Sequence, residues 1–202
     1  VLWNTDNIIV DERISDIDLL VFSGGEDISP SLYRSGYEPG FDYMYNPERD
    51  ASDFLLMRYA IDNDIPTLGI CRGMQMLAVA SGLKLIEDIP SSYPELEGVH
   101  RPEDGKYTFH SIDICSKDSV LNSLIPDSHI NEVASSHHQA VLFESGHNLI
   151  DTAYAGPVIE AMERSDKTFI IGIQYHPEYY STHQDLSGYD DAKAFIERII
   201  CR

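Results

Sequence analysis

Cysteine, basic side chains and long apolar runs are all scarce in this chain. Three cysteines occur among 202 residues, at Cys71, Cys115 and Cys201, and their spacing fits neither a disulfide framework nor a zinc-binding cysteine motif. Such cysteine usage is typical of a reducing, cytoplasmic setting. No apolar run is long enough to span a bilayer and no signal-peptide pattern is present, so we expect no membrane association.

Basic residues are greatly outnumbered by acidic ones. The chain has 14 Lys and Arg against 34 Asp and Glu, a formal net charge of −20. Because no basic patch is available to neutralise phosphates, the composition excludes a nucleic-acid partner. The acidic residues are spread along the chain, which predicts a soluble, self-repelling surface but indicates no particular substrate.

The length and apolar content predict one domain over residues 1–202. Early in the chain, a buried strand predicted at 18–23 and a strand predicted at 66–71 alternate with helices predicted at 46–63 and 72–82. Shorter strands then follow. This order predicts an α/β fold, with a mainly parallel central sheet and an antiparallel addition.

The remaining predicted elements are strands at 1–3, 83–86, 107–114, 131–135, 149–153, 158–164 and 169–175, and a helix at 190–201. In mainly parallel sheets, binding sites lie at the carboxyl ends of the strands. Residues that could form a site lie at or directly after the ends of three of the predicted strands. They are Gly24-Gly25, Cys71 and His176-Pro177-Glu178.

Cys71 stands where an apolar run ends and a helical pattern begins, with Gly69 and Gly73 two residues away on either side. This pattern predicts a nucleophile elbow with sulfur in place of oxygen, because glycines relieve crowding where strand and helix converge. A helix N-terminus would also favour the thiolate. A buried structural cysteine in a turn fits the same pattern about as well.

A cysteine nucleophile needs a base, a group that orients the base, and donors for the oxyanion. His176 and Glu178 are candidates for the first two, held as a pair by the stiff proline between them. The backbone N–H groups of Arg72 and of the Gly24-Gly25 pair are candidates for the third. The alternatives are a plain turn at the glycines and a solvated loop at 176–178.

The pair His137-His138 is a weaker signal. Adjacent histidines on a strand point to opposite faces, and no cysteine or carboxylate cluster accompanies them, so we expect no metal site. One histidine is expected to be packed and the other to line the site, and the remaining histidines to be structural or on the surface. Gln75 lies one turn after Cys71 and either contacts substrate or satisfies a buried polar group.

Four segments occur in the order of a known family, namely Ser23–Pro30, Gly69–Gln75, Ser136–Ala140 and Gly172–Glu178. They resemble class I glutamine amidotransferase-type hydrolases, and most closely the γ-glutamyl-γ-aminobutyrate hydrolase group of the peptidase C26 type. The resemblance covers nearly the whole chain.

The resemblance implies a flavodoxin-like three-layer sandwich with Cys71, His176 and Glu178 as a catalytic triad. Gly25 and Arg72 would supply the oxyanion N–H groups. The glutamyl end of the substrate would be held by a further set of residues, namely Gly24, Gln75, Ser136, His137, His138 and Gln139. Family members usually have another strand and helix before the segment that matches 1–3, so either the chain is incomplete or the sheet lacks a strand.

The implied activity is cysteine-dependent hydrolysis of a γ-glutamyl amide, through a glutamyl thioester, to glutamate and a free amine, without a metal or organic cofactor. The expected partner is thus a small-molecule γ-glutamyl amide. A glutaminase subunit that supplies ammonia to a synthase and a non-catalytic binding module are the alternatives, and a homodimer is also open. The Tyr-rich loop at 33–45 and the loop around His100-Arg101 are expected to form the pocket for the amine.

Overall fold

The computed structural model describes residue 14 and residues 17–34, 45–102, 106–125 and 127–201. The strand predicted at 1–3 and most of the Tyr-rich loop lie outside the described residues. The strands are β1 (Leu20–Phe22), β2 (Thr67–Ile70), β3 (Lys84–Ile86), β4 (Thr108–Ile114), β5 (His129–Ser135), β6 (Ala140–Leu142), β7 (Leu149–Ala155), β8 (Val158–Arg164) and β9 (Ile170–Ile173). The helices are α1 (Pro47–Asp62), α2 (Arg72–Ala80), α3 (Ile89–Ser92), α4 (Val120–Leu124) and α5 (Tyr189–Ile200).

Seven strands form one sheet in the order β1-β2-β9-β8-β7-β4-β5, and β3 pairs with β6 in a separate small sheet. Strands β1, β2 and β9 run parallel, and the pairings beyond β9 are antiparallel. The predicted α/β sheet with an antiparallel addition is therefore confirmed. The parallel part directs the ends of β1, β2 and β9 toward one edge, where the three polar strand ends of the sequence meet.

Helices cover both faces of the sheet. Ile170 of β9 packs in the cluster that contains Met57 of α1 and Met74 of α2. Ile171 of β9 packs instead in the cluster that contains Phe195 of α5. Successive β9 residues thus face opposite layers, as the two-residue period of a strand requires, and the result is a three-layer sandwich.

The predicted strand at 18–23 is shorter and less buried than expected. Only Leu20–Phe22 forms β1, and the Val21 side chain is 49% exposed while Phe22 is buried. The cause is its place in the sheet, since β1 pairs with β2 on one side and is the outermost strand among the described residues. The expectation of a buried strand therefore holds for Phe22 but was wrong for Val21.

Local sequence signals account for the main helices. Asn46 caps α1 with its side chain, which accepts a hydrogen bond from the Arg49 N–H, and Pro47 occupies the first turn. All nine residues of α2 are buried, in agreement with its nearly uniform apolar composition. Among the described residues, no helix combines the length and the apolar character needed to cross a bilayer.

Two short helices, α3 and α4, were not predicted. Each begins at a side chain that accepts a backbone hydrogen bond from the third residue after it, Asp88 for α3 and Ser119 for α4. With four and five residues they are too short to show an apolar period. The capping residues Asp88 and Ser119 were therefore the only sequence signals for these two helices.

Candidate active site

Cys71 lies in a sharp turn between β2 and α2, as the elbow pattern predicts. Its backbone has φ 52° and ψ −105°, a conformation that costs energy in a residue with a side chain. The Cys71 N–H donates to the Ile173 carbonyl at 2.7 Å, which ties the elbow to β9. The turn also requires Gly69 and Gly73, because a Cβ added at Gly69 would lie 2.5 Å from the Gly73 carbonyl carbon.

His176 follows β9, and its imidazole is held between Cys71 and Glu178. Its Nδ1 lies 2.7 Å from Glu178 Oε1, which leaves Nε2 for the hydrogen bond to the Cys71 sulfur. Burial lowers the pKa of His176, but these hydrogen bonds and the negative charges of both partners outweigh it and raise the pKa to about 10. The histidine is therefore protonated at neutral pH beside the sulfur.

Tyr107 contacts the His176 imidazole from a third direction. Its ring meets the His176 ring edge to face, with centroids 5.2 Å apart and an interplanar angle of 89°. Tyr179 packs against the other side of Tyr107. This contact could not be predicted from the sequence, because Tyr107 precedes β4 and two strands separate β4 from β9 in the sheet.

The Gly24-Gly25 loop is held against the elbow by Arg49 of α1. The guanidinium donates to the carbonyls of Ser23 and Gly24 at 3.2 and 2.9 Å and pairs with Glu26 at 2.8 Å. A Cβ added at Gly24 would lie 2.9 Å from His176 Cε1. The loop therefore lies directly beside the imidazole, and Arg49 is a positioning residue that the sequence did not reveal.

The Arg72 side chain points away from the pocket and into the protein. It is buried and forms ion pairs with Asp50 and Asp53 of α1, the first at 2.6 Å. The second carboxylate oxygen of Asp50 accepts from the Ser29 N–H at 3.0 Å. This network joins α1, the glycine loop and the first residue of α2, whose backbone N–H has no partner within the helix.

An open pocket of about 370 Å³ lies over Cys71, within the usual range for small-molecule sites. The residues around it are Gly25, Glu26, Asp27, Cys71, Gln75, Arg101, Ser136, His137, His138 and Gln139. The structure thus brings together one predicted oxyanion donor, the predicted nucleophile and most of the predicted substrate contacts. Arg101 also lines it, and that its loop holds the amine stays a prediction, while Glu26 and Asp27 were missed.

Gln75 and Gln139 form part of the pocket wall through buried hydrogen bonds. The Gln75 amide donates to the Gln139 carbonyl and to Gln174 Oε1, both at 3.2 Å. The structure thus shows Gln75 satisfying buried polar groups at the edge of the pocket. A contact with substrate stays a prediction.

The expectation that no carboxylate accompanies His137 and His138 was wrong. His138 Nε2 lies 2.8 Å from Asp27, and its Nδ1 lies 3.3 Å from Asp88. Hydrogen bonds to Asp27 raise the pKa of His138 above its ordinary value. His137 lies in a separate buried cluster with Glu160. The carboxylates come from distant parts of the chain, so spacing around the two histidines gave no signal.

The arrangement of layers and strands is that of the class I glutamine amidotransferases. The glutaminase domain of CTPS from Trypanosoma brucei superposes with a TM-score of 0.62 at 17% sequence identity, over 98% of this chain and 77% of that one. This likeness establishes the fold. The chain belongs to the Peptidase C26 family, whose family model matches residues 1–178.

Curated relatives support the family assignment. Protein NtpR of Enterococcus hirae is 36% identical over 169 residues, which are 82% of this chain and 68% of that protein. The γ-glutamyl-γ-aminobutyrate hydrolase PuuD of Escherichia coli K12 is 27% identical over 186 residues, 89% of this chain and 71% of that protein. The chain spans from 52% to 73% of the lengths of the curated relatives compared.

Proposed function

We propose that this chain hydrolyses γ-glutamyl amides to glutamate and a free amine, with Cys71 as the nucleophile. The observation that carries the proposal is the continuous contact from Cys71 through His176 to Glu178 beside an open pocket. A relative named a γ-glutamyl-γ-aminobutyrate hydrolase supports the substrate class. The same hydrolase family supports cleavage of a C–N bond.

In the first half of the reaction, the Cys71 sulfur attacks the δ-carbonyl carbon of the glutamyl group. The carbonyl oxygen becomes an oxyanion, for which the N–H groups of Arg72 and Gly25 are the candidate donors. The C–N bond then breaks, and the imidazolium of His176 gives its proton to the departing amine nitrogen. A glutamyl thioester on Cys71 and a neutral His176 remain.

In the second half, water attacks the thioester carbon and His176 accepts its proton. The C–S bond breaks, glutamate leaves, and the thiolate beside a protonated histidine is restored. Glu178 holds Nδ1 throughout, so that Nε2 faces the sulfur and the imidazolium is stabilised. No step requires a proton carrier beyond the residues named.

The charges around the pocket suit the two ends of a glutamyl group. Arg101 is the basic side chain on the pocket wall and would face the α-carboxylate. Glu26 and Asp27 also line the pocket and would attract the α-ammonium. The segment Ser136–Gln139 also lines the pocket, and its predicted role in substrate binding is part of this proposal.

The first test is Cys71→Ala, scored by glutamate release from a panel of γ-glutamyl amides and glutamine. We expect kcat/KM to fall by roughly 10⁴-fold or more, because no other group can form the thioester. Cys115→Ala is the matched control, since that thiol is exposed and away from the pocket. Full activity of Cys71→Ala would overturn the proposal.

The same panel separates the alternatives. Turnover of γ-glutamyl amines well above that of glutamine supports the hydrolase. Slow turnover of glutamine alone, accelerated by a synthase, would instead favour a glutaminase subunit. The absence of any covalent adduct on Cys71 after treatment with a γ-glutamyl electrophile would favour a non-catalytic module.

A further inference from the structure

A second cluster of reactive side chains lies beneath the pocket, apart from Cys71. His100, His110, His137 and Glu160 each offer one atom to a common point, and these atoms lie within 4.8 Å of one another. They come from the loop before Arg101, from β4, from the pocket segment 136–139 and from β8. The side chains of His100, His137 and Glu160 are almost fully buried.

The distances around Glu160 match those of a metal's ligand shell. Its Oε1 lies 3.3 Å from His100 Nδ1, 3.7 Å from His110 Nε2 and 3.5 Å from His137 Nε2. Four ligands at the usual zinc–nitrogen and zinc–oxygen distances are about 3.4 Å from each other in a tetrahedral site. The three separations from Glu160 therefore bracket the edge of such a tetrahedron, while the four ligand atoms as a set lie within 4.8 Å of one another.

Backbone contacts fix the proton positions on two of the rings. His137 Nδ1 lies 2.9 Å from the Gln139 carbonyl, and His110 Nδ1 lies 3.2 Å from the Ser111 carbonyl. A carbonyl oxygen only accepts, so Nδ1 must carry the hydrogen in both rings, and a neutral ring then has a lone pair on Nε2. This is the usual second contact of a metal-bound histidine.

Two nitrogen lone pairs thus face a carboxylate oxygen, an arrangement that repels unless a cation lies between them. Within the described residues, His100 Nδ1 and Nε2, His110 Nε2, His137 Nε2 and both Glu160 oxygens are buried without a hydrogen-bond partner. Such groups are costly when left unsatisfied. A cation at the common point would satisfy one atom of every member.

Protonating the histidines would satisfy these buried atoms less well than a metal ion would. The His100 ring centroid lies 4.6 Å from that of His110 and 4.9 Å from that of His137. Charging these rings together would place like charges in contact in a buried space, and one carboxylate compensates only one of them. Imidazole and carboxylate ligands suit zinc and its first-row neighbours.

We propose that His100, His110, His137 and Glu160 bind one Zn²⁺ ion as a closed, four-coordinate site. Because the protein fills all four positions, the ion has a structural role. It fastens the pocket segment 136–139 to β4 and β8 and so fixes one wall of the pocket over Cys71. The proposal does not depend on the activity of Cys71, and it revises the expectation that the histidine pair lies outside any metal site.

The test measures zinc binding to the full chain in the Cys71→Ala background, which removes the buried cysteine of the pocket as a competing zinc ligand. After removal of metal by a chelator, Zn²⁺ is titrated against a chromophoric chelator. We expect one equivalent to bind, and affinity to fall by about 100-fold or more in His110→Gln and in Glu160→Gln. His129→Gln is the matched control, since His129 is exposed and pairs with Asp113 outside the cluster.

Two further measurements use the chain with all four proposed ligands in place, so they do not depend on whether the ligand variants fold. Co²⁺ added to the stripped chain should give the strong visible absorption of a four-coordinate site, and Zn²⁺ should raise its melting temperature. No tight zinc binding together with no cobalt spectrum would overturn the proposal. Binding that survives both ligand substitutions, or that is lost in His129→Gln, would also overturn it.

Discussion

At the scale of single residues, the candidate site depends on side chains whose partners decide their chemistry. Cys71, His176 and Glu178 could be predicted because each lies in a short local pattern at the end of a strand. Arg49, Tyr107 and Glu160 could not, because each acts on residues far away in the sequence. A charged side chain on a helix is ordinarily solvated, and only the fold shows what it contacts.

The role of Glu178 predicts a change in the pH dependence of the rate. In the proposed mechanism His176 must be protonated to release the amine, so kcat/KM should fall as pH rises through its pKa of about 10. Glu178→Gln removes a negative charge and a strong acceptor, which lowers that pKa. We expect the alkaline limb to move down by about one pH unit or more, and kcat to fall roughly 10²-fold.

The measurement is a pH–rate profile of both proteins on one γ-glutamyl amide. Glu197→Gln is the control, because that carboxylate is exposed on α5. An alkaline limb at the same pH in wild type and Glu178→Gln would show that the carboxylate does not set the protonation of His176.

At the scale of elements, α1 does more than cover the sheet. Its apolar face was predictable from its spacing, whereas the inward ion pairs of Asp50 and Asp53 with Arg72 were not. Those pairs join α1 to the start of α2, and Arg49 joins it to the glycine loop. The helix therefore fixes the relative position of the two backbone segments proposed to bind the oxyanion.

Breaking the inner ion pair should destabilise the protein strongly. Asp50→Asn leaves the buried guanidinium of Arg72 with reduced compensation, and we expect the free energy of unfolding to fall by about 3–5 kcal/mol. Asp62→Asn is a matched control on the same helix, because its pair with Arg58 is exposed and should change stability by less than about 1 kcal/mol. Urea unfolding measures the free energy of unfolding of both variants. Equal losses in Asp50→Asn and Asp62→Asn would contradict a stabilising role for the buried ion pair.

At the scale of the whole molecule, the order of helices and strands was largely predictable from the sequence. The observed order confirms the predicted α/β fold class. Alternating early strands and helices, the hairpin of β7 and β8, and the terminal α5 all follow from local periodicity and turn residues. The strand order did not follow, because pairing between β4 and β7 or between β2 and β9 joins segments far apart in sequence. Membership of the Peptidase C26 family is likewise confirmed.

The net charge of −20 predicts a salt-dependent stability. Repulsion among acidic groups opposes the compact state, and added salt screens it. We expect the melting temperature to rise between 0.02 and 0.2 M NaCl, which is about a threefold change in Debye length. Calorimetry at both concentrations, with EDTA present in each, measures the effect, and a constant or falling melting temperature would contradict it.

The backbone at His176, which follows β9, is bonded to a strand on the far side of the seven-stranded sheet, and this affects folding. The N–H of His176 donates to the Ala134 carbonyl at the end of β5, although β5 and β9 are separated by three strands in the sheet. The sheet must therefore curl before this contact can close. Such closure joins distant parts of the chain and is slow compared with forming a helix or hairpin. During refolding, secondary structure should accordingly return before the His176 imidazole reaches the Cys71 sulfur, so that the proposed active site is among the last parts of the protein to form.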